Sequence, residues 1–163
     1  MVLVGDVGGT KTILALYEKS NAGWNRIKKT LYASADFESV IGLLKSFLSD
    51  ADIVVDSVCM GVAGPIVDGD CVATNLPWVL KRKDIGAAVN SSNVWLLNDL
   101  EATAWGLLSL PEADFVELNP NAVPAQIGNI AVVAAGTGLG EAIMMWDGKS
   151  HHIIATEGGH ADF

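Results

Sequence analysis

Cysteine and positive charge are both scarce in this sequence. Its two cysteines, Cys59 and Cys71, match no metal-binding spacing and lie in apolar, strand-like segments. We therefore expect buried free thiols in a reducing cytoplasm and no disulfide. Lys and Arg number 10 against 19 Asp and Glu, which gives a formal net charge of −9. Nucleic-acid binding is not expected, because it depends on cationic side chains that neutralise phosphates.

Long apolar segments are also missing. Asp56, Asp68 and several glycines interrupt every run that could cross a bilayer, and the first residues lack the basic region of a secretory signal. We expect a cytoplasmic protein that does not bind membranes. Nevertheless half of the residues are hydrophobic, and the mean hydropathy is +0.36. Two explanations stay open: a surface covered by a partner, or a dense α/β core.

The order of the apolar segments predicts an α/β fold. Three strand patterns at hairpin spacing open the chain, and helices separate several of the later strands. We expect a mixed sheet, antiparallel on one side and parallel on the other. The expected strands are 2–5, 12–18, 25–33, 53–60, 66–67, 71–73, 94–97, 130–135, 142–146 and 151–155; the expected helices are one capped by Asp36, one over 84–89 and one over 100–109.

The stretch GDVGGTKT, residues 5–12, is close to the phosphate-binding P-loop pattern G-x-x-x-x-G-K-[ST]. However, Thr10 stands where the second glycine is required, and β-branched residues follow Lys11 where a P-loop begins a helix. We therefore predict a glycine turn between two strands. A second turn, Gly136–Gly140, also separates two strands. Each is either a simple tight hairpin or, through its backbone amides, part of a polyphosphate site.

Three groups of polar residues are candidates for chemistry. Asp6 cannot face a phosphate without repulsion, so its expected role is to hold Mg²⁺, through water. The Asn98–Asp99 pair follows a buried strand and is either a helix cap or a general base with a neighbouring sugar ligand. Glu157 and His160 flank two glycines and suit the recognition of a polyol, although a metal ligand or a structural histidine remains open.

Five stretches, taken in order, resemble the bacterial ATP-dependent glucokinase family of the actin/hexokinase/Hsp70-type superfamily. They are GDVGGTKT (5–12), GVAGPIVDGDCVATNLPW (61–78), LNDLEATAWG (97–106), AAGTGLGEA (134–142) and TEGGHADF (156–163). The resemblance implies an α/β, ribonuclease H-like (actin-like ATPase) fold with a mixed five-stranded central sheet flanked by helices. It also implies that residues 1–163 are the N-terminal, smaller lobe of a two-lobed sugar kinase. That lobe would end at the interdomain segment, with the second lobe absent and the fragment inactive alone.

The resemblance also implies roles for individual residues. Asp99 would take the proton of the glucose 6-hydroxyl as that oxygen attacks the γ-phosphate of ATP, with Mg²⁺ as the metal. The sugar, glucose or a similar hexose, would be bound by Asn75, Asn98, Asp99, Glu157 and His160. The first phosphate loop would be Gly5, Asp6, Val7, Gly8, Gly9 and Thr10, and the second would be Gly136, Thr137 and Gly138. The full-length protein would be a homodimer.

Two alternatives to a glucokinase remain. The ROK-type sugar kinases and repressors share the patterns D-x-G-G-T and E-x-G-H, although GGHADF (158–163) fits the glucokinase branch better and no helix-turn-helix pattern precedes Met1. A non-catalytic sugar-sensing module would also need the sugar ligands. Such a module has no use for a base, so Asp99 favours an enzyme.

Overall fold

The computed structural model describes residues 1–49, 53–121, 127–135, 139–156 and 158–160. The chain divides into two compact units, Met1–Asp99 and Leu100–Phe163. The strands are β1 Val2–Val7, β2 Lys11–Ser20, β3 Gly23–Ala33, β4 Ser57–Val62, β5 Ile66–Val67, β6 Asp70–Val72, β7 Val79–Leu80, β8 Val94–Asn98, β9 Ile130–Ala135, β10 Leu139–Trp146 and β11 His151–Thr156. The helices are α1 Val40–Phe47, α2 Arg82–Val89 and α3 Asp99–Leu107, and short 3₁₀ turns cover Ser34–Asp36, Glu112–Asp114 and Gly158–His160.

The first unit is built on a five-stranded sheet with the order β3-β2-β1-β4-β8. The strands β1, β2 and β3 pair antiparallel, because only short turns connect them. The strands β1, β4 and β8 pair parallel, and the crossovers that parallel pairing requires contain α1 and α2. The predicted mixed five-stranded sheet is therefore confirmed.

The core of the first unit lies on one face of this sheet. Alternate side chains of each strand share a face, and those at Leu3, Leu16 and Val58 are fully buried. Helix α1 presents an apolar stripe at helical spacing. Its buried side chains are Val40, Leu43, Leu44 and Phe47. Helix α2 contacts α1 and adds Ile85 and Val89 to the same core.

Two smaller sheets complete the described chain. Strands β5, β6 and β7 form an antiparallel sheet in the first unit, and β11, β10 and β9 form one in the second unit. In the second unit, Ala104 of α3 packs with Val132, Ala142 and Met144. The opposite face of that sheet carries exposed apolar side chains, among them Val133, Ile143 and Ile154. The high mean hydropathy therefore reflects both a dense core and an exposed apolar surface.

Several predicted boundaries were wrong. The cap of α1 is Ser39, whose side chain accepts the Gly42 amide, whereas Asp36 lies in the preceding 3₁₀ turn. The strand expected over 53–60 starts only at Ser57, where pairing with Val2 of β1 begins. Helix α2 begins at Arg82, two residues before the predicted start.

Three further observations concern the second unit and the thiols. Helix α3 covers 99–107 and not 100–109. Strand β10 begins at Leu139, since its pairing with β9 starts there. Cys71 is buried, as predicted, whereas Cys59 is only partly buried. No helix in the described part of the chain has the length and apolar character needed to cross a bilayer.

Candidate functional site

The register of the parallel strands brings three strand ends to one edge of the sheet. Val7 of β1 pairs with Val62 of β4, and Val62 pairs with Asn98 of β8. The glycine turn, Ala63 and Asp99 therefore all follow directly after neighbouring strand ends. Ligands of open α/β sheets bind at this carboxyl edge.

The glycine turn after β1 is tight. The Gly8 amide donates to the Lys11 carbonyl at 3.0 Å, which closes the hairpin between β1 and β2. The structure therefore has a strand–turn–strand here, as predicted, and no P-loop helix. Within the described residues, the amides of Gly9 and Thr10 have no hydrogen-bond partner. Two neighbouring free amides are a suitable site for an anion.

A buried serine from outside the motif holds this turn in place. The Ser34 hydroxyl donates to the Gly8 carbonyl at 2.8 Å, and the Ser34 amide donates to the Thr10 carbonyl at 3.0 Å. The hydroxyls of Thr12 and Ser34 are 2.9 Å apart. Because the single Ser34 proton is used on Gly8, Thr12 is the donor in that pair. The side chains of Thr12 and Ser34 are both completely buried.

The turn also approaches the loop that follows β6. A Cβ added at Gly9 would lie 2.6 Å from the Cβ of Asn75, so only glycine fits at this position without a rearrangement. Asn75 itself is exposed. The predicted sugar ligand therefore lies directly beside the predicted phosphate loop.

Asn98 and Asp99 lie where β8 becomes α3. Asn98 is 7% exposed, and its side-chain amide donates to the Gly64 carbonyl at 3.3 Å. This bond ties the end of β8 to the chain that leaves β4. Asp99 begins α3 at the carboxyl edge and is only partly buried.

Burial and the charge of Asp99 both act on the carboxyl group of Asp6. Partial burial raises the pKa of Asp6 above its usual value, and the negative charge of Asp99 raises it further. Burial also raises the pKa of the Cys71 thiol, again with a contribution from Asp99. A cation bound near Asp6 would favour the charged form of its carboxyl.

Some predicted site residues lie outside the described residues. These are Gly136, Thr137 and Gly138 of the second glycine turn, and Glu157. The backbone of His160 ends the 3₁₀ turn Gly158–His160. Among the described residues, no group of three or more His, Cys, Asp or Glu side chains is arranged to hold a metal ion. An ion at Asp6 would therefore need ligands from water and from the nucleotide.

Nothing in the sequence indicates the contacts of Ser34 or the position of Cys71. No local signal marks Ser34, because its hydroxyl contacts Thr12 and Gly8, which lie 22 and 26 positions earlier in the chain. Those contacts depend on the register of β2 with β3. The position of the Cys71 thiol also depends on strand pairing, because β6 pairs with β5 and β7 at this residue.

Comparisons with known proteins find glucokinases similar to this chain. Glucokinase of Nostoc punctiforme is 35% identical over 171 aligned residues, which include the whole of this chain but 48% of that protein. The chain thus spans about half the length of the curated relatives it matches.

Solved structures give the same result. A glucokinase from an Antarctic psychrotroph superposes with a TM-score of 0.78 at 29% identity, over 98% of this chain and 51% of that one. A ROK family glucokinase from Streptomyces griseus, solved with glucose and AMPPNP, has a TM-score of 0.62 at 20% identity, over 93% and 46% of the two chains, and shows the shared fold alone. Residues 3–163 match the glucokinase family, and this chain therefore belongs to it.

Proposed function

We propose that this chain is the N-terminal lobe of an ATP-dependent glucokinase, which transfers the γ-phosphoryl group of ATP to the 6-hydroxyl of glucose. Asp99 is the general base in this proposal. The observation that carries it is the common edge formed by the ends of β1, β4 and β8, where the glycine turn, Asn98 and Asp99 follow paired strand residues.

The described residues suit the two halves of this reaction. The unpartnered amides of Gly9 and Thr10 can donate hydrogen bonds to phosphate oxygens, and the missing Cβ of Gly9 allows a close approach. A hydroxyl held near Asp99 can transfer its proton to that carboxylate as the oxygen attacks. Asn98 orients a neighbouring hydroxyl, and Glu157 and His160 are the further proposed sugar ligands.

The proposed metal is Mg²⁺, held by Asp6 through water. The residues present fit a divalent cation, because Asp99 makes the negative charge of Asp6 less favourable and a cation would relieve this. When bound, the ion would neutralise charge on the transferring phosphate. We also propose that the complete protein supplies further ligands from its second lobe. It would form a homodimer and lie in the cytoplasm.

The test of the base is Asp99→Asn in the complete protein. General base catalysis contributes about 10²–10⁴-fold, so we expect kcat to fall by that factor while glucose affinity stays within a few-fold. Asp84→Asn, an exposed acid in the first turn of α2, is the matched charge control and should keep its activity. A coupled assay with glucose and Mg-ATP measures both variants. Unchanged turnover in Asp99→Asn would contradict the assignment.

The lobe assignment has a separate test. Phosphoryl transfer depends on positioning by groups from both sides of the phosphates, and this chain has about half the length of its relatives. We therefore expect the chain of residues 1–163 to show little or no turnover when assayed alone. Turnover near that of a complete glucokinase would refute the assignment to one lobe.

A further inference from the structure

We infer that Ser34 is a positioning residue for the nucleotide phosphates, because it sets the direction of the Gly9 amide. The inference rests on the proposed function and adds a residue that lies outside every motif of the sequence. It begins with the bond from the Ser34 hydroxyl to the Gly8 carbonyl, 2.8 Å long.

A peptide unit is planar and trans, so its C=O and N–H point in opposite directions. The Gly8 carbonyl points toward Ser34. The N–H of Gly9 belongs to the same peptide unit and must therefore point away from Ser34. Like the amide of Thr10, this N–H has no hydrogen-bond partner among the described residues.

The peptide between Gly8 and Gly9 needs such an anchor. Glycine adopts both signs of φ at similar cost because it lacks a Cβ, so a peptide between two glycines can rotate with little steric resistance. Rotation would turn the Gly8 carbonyl outward and place a negative dipole where the proposed site needs a donor. The bond from Ser34 opposes this rotation.

Ser34 is itself held from several sides. Its amide donates to the Thr10 carbonyl, and its carbonyl accepts the Phe37 amide. Its hydroxyl accepts from Thr12 while donating to Gly8. Ser34 and Thr12 are fully buried, and the two hydrogen bonds together determine the direction of the Ser34 proton.

The variants that test this inference differ in which bond they remove. Ser34→Ala removes the anchor, Thr12→Val removes the donor to Ser34 with little change of shape, and Thr12→Ser retains that donor. The matched control is Ser91→Ala. The Ser91 hydroxyl also donates to a backbone carbonyl, that of Asp56 at 2.7 Å, but before β4 and β8, at the opposite edge of the sheet.

The measurement is hydrogen exchange of the amides of residues 8–11 in the complete protein, with and without Mg-ATP, together with the KM values. One hydrogen bond contributes about 0.5–1.5 kcal/mol, so in Ser34→Ala we expect the exchange of these amides in the presence of Mg-ATP, and the KM for Mg-ATP, to rise about three- to tenfold. The KM for glucose should stay within about twofold of the parent value, since Ser34 is proposed to act on the phosphates. Thr12→Val should show a smaller change of the same kind, and Thr12→Ser and Ser91→Ala should match the parent.

Unchanged exchange at residues 8–11 in Ser34→Ala and Thr12→Val would overturn the inference. An equal rise in Ser91→Ala would also overturn it, since the effect would then be a general loosening of the sheet. If the parent protein binds Mg-ATP but does not phosphorylate glucose, the proposed function fails. The role of Ser34 can then still be tested, because Mg-ATP would protect the amides of residues 8–11 from exchange. Loss of that protection in Ser34→Ala supports the inference, and full protection refutes it.

Discussion

Replacement of Gly9 by alanine tests the geometry of the candidate site directly. The added Cβ would lie 2.6 Å from the Cβ of Asn75, whereas ordinary contact begins at 3.4 Å, so the two must separate by at least 0.8 Å. The φ angle of Gly9 is not in the left-handed region, and the expected penalty is therefore steric. Overpacking of this kind costs about 1–3 kcal/mol. Misplacement by about 1 Å costs roughly 10²-fold in rate.

The assays are urea unfolding of the 163-residue chain and turnover of the complete protein. Gly106→Ala is the control, because a Cβ there meets nothing within 4 Å; it should be neutral or stabilising by up to about 1 kcal/mol. A second variant, Asn75→Gly, removes the Cβ that causes the clash. Combined with Gly9→Ala, it should recover most of the lost stability, as a double-mutant cycle would show. Destabilisation below about 0.5 kcal/mol, or no coupling between the two sites, would refute the reasoning.

Two further predictions concern the helix cap and the acid near the base. Ser39→Ala should lower the free energy of unfolding by about 1 kcal/mol, because the bond to the Gly42 amide is lost. Asp36→Ala should lower it by less. If urea titrations gave the opposite order, Ser39 would not be the cap. The folded chain binds a proton at Asp6 more tightly than the unfolded chain does, because burial and Asp99 raise its pKa. Stability due to Asp6 therefore falls as pH rises from the usual pKa of 3.8 through the raised value. Asp6→Asn should be more stable than the parent at pH 7, with a difference that shrinks in acid; a parent that is the more stable at pH 7 would contradict this.

Much of the fold could be predicted because its signals are local. The short apolar runs of β1 and β2, the missing second glycine at Thr10 and the short turn between the strands indicate a hairpin without reference to any other part of the chain. The stripe of α1 has the same origin. The errors occurred where a boundary depends on a partner: β4 begins where Val2 becomes available for pairing with Ser57.

The candidate site could be predicted in its members but not in its contacts. Asp6 and Gly9 belong to the predicted glycine turn after a strand, and Asp99 directly follows a buried strand, so the sequence indicates each of them as a candidate. Nothing in the sequence indicates that Asn75 touches Gly9, because that contact depends on the path of the loop between β6 and β7.

The sequence by itself determined the order of strands and helices, the glycine turn and the family, because these follow from short-range patterns and from motifs in a set order. Only the tertiary structure decided which side chains meet at the carboxyl edge of the sheet. It placed the Ser34 hydroxyl within hydrogen-bond distance of the Gly8 carbonyl, and it raised the pKa of Asp6 through burial and the charge of Asp99. The physical reason is that strand register converts residues far apart in the chain into neighbours, and register is a property of paired strands and not of either strand alone.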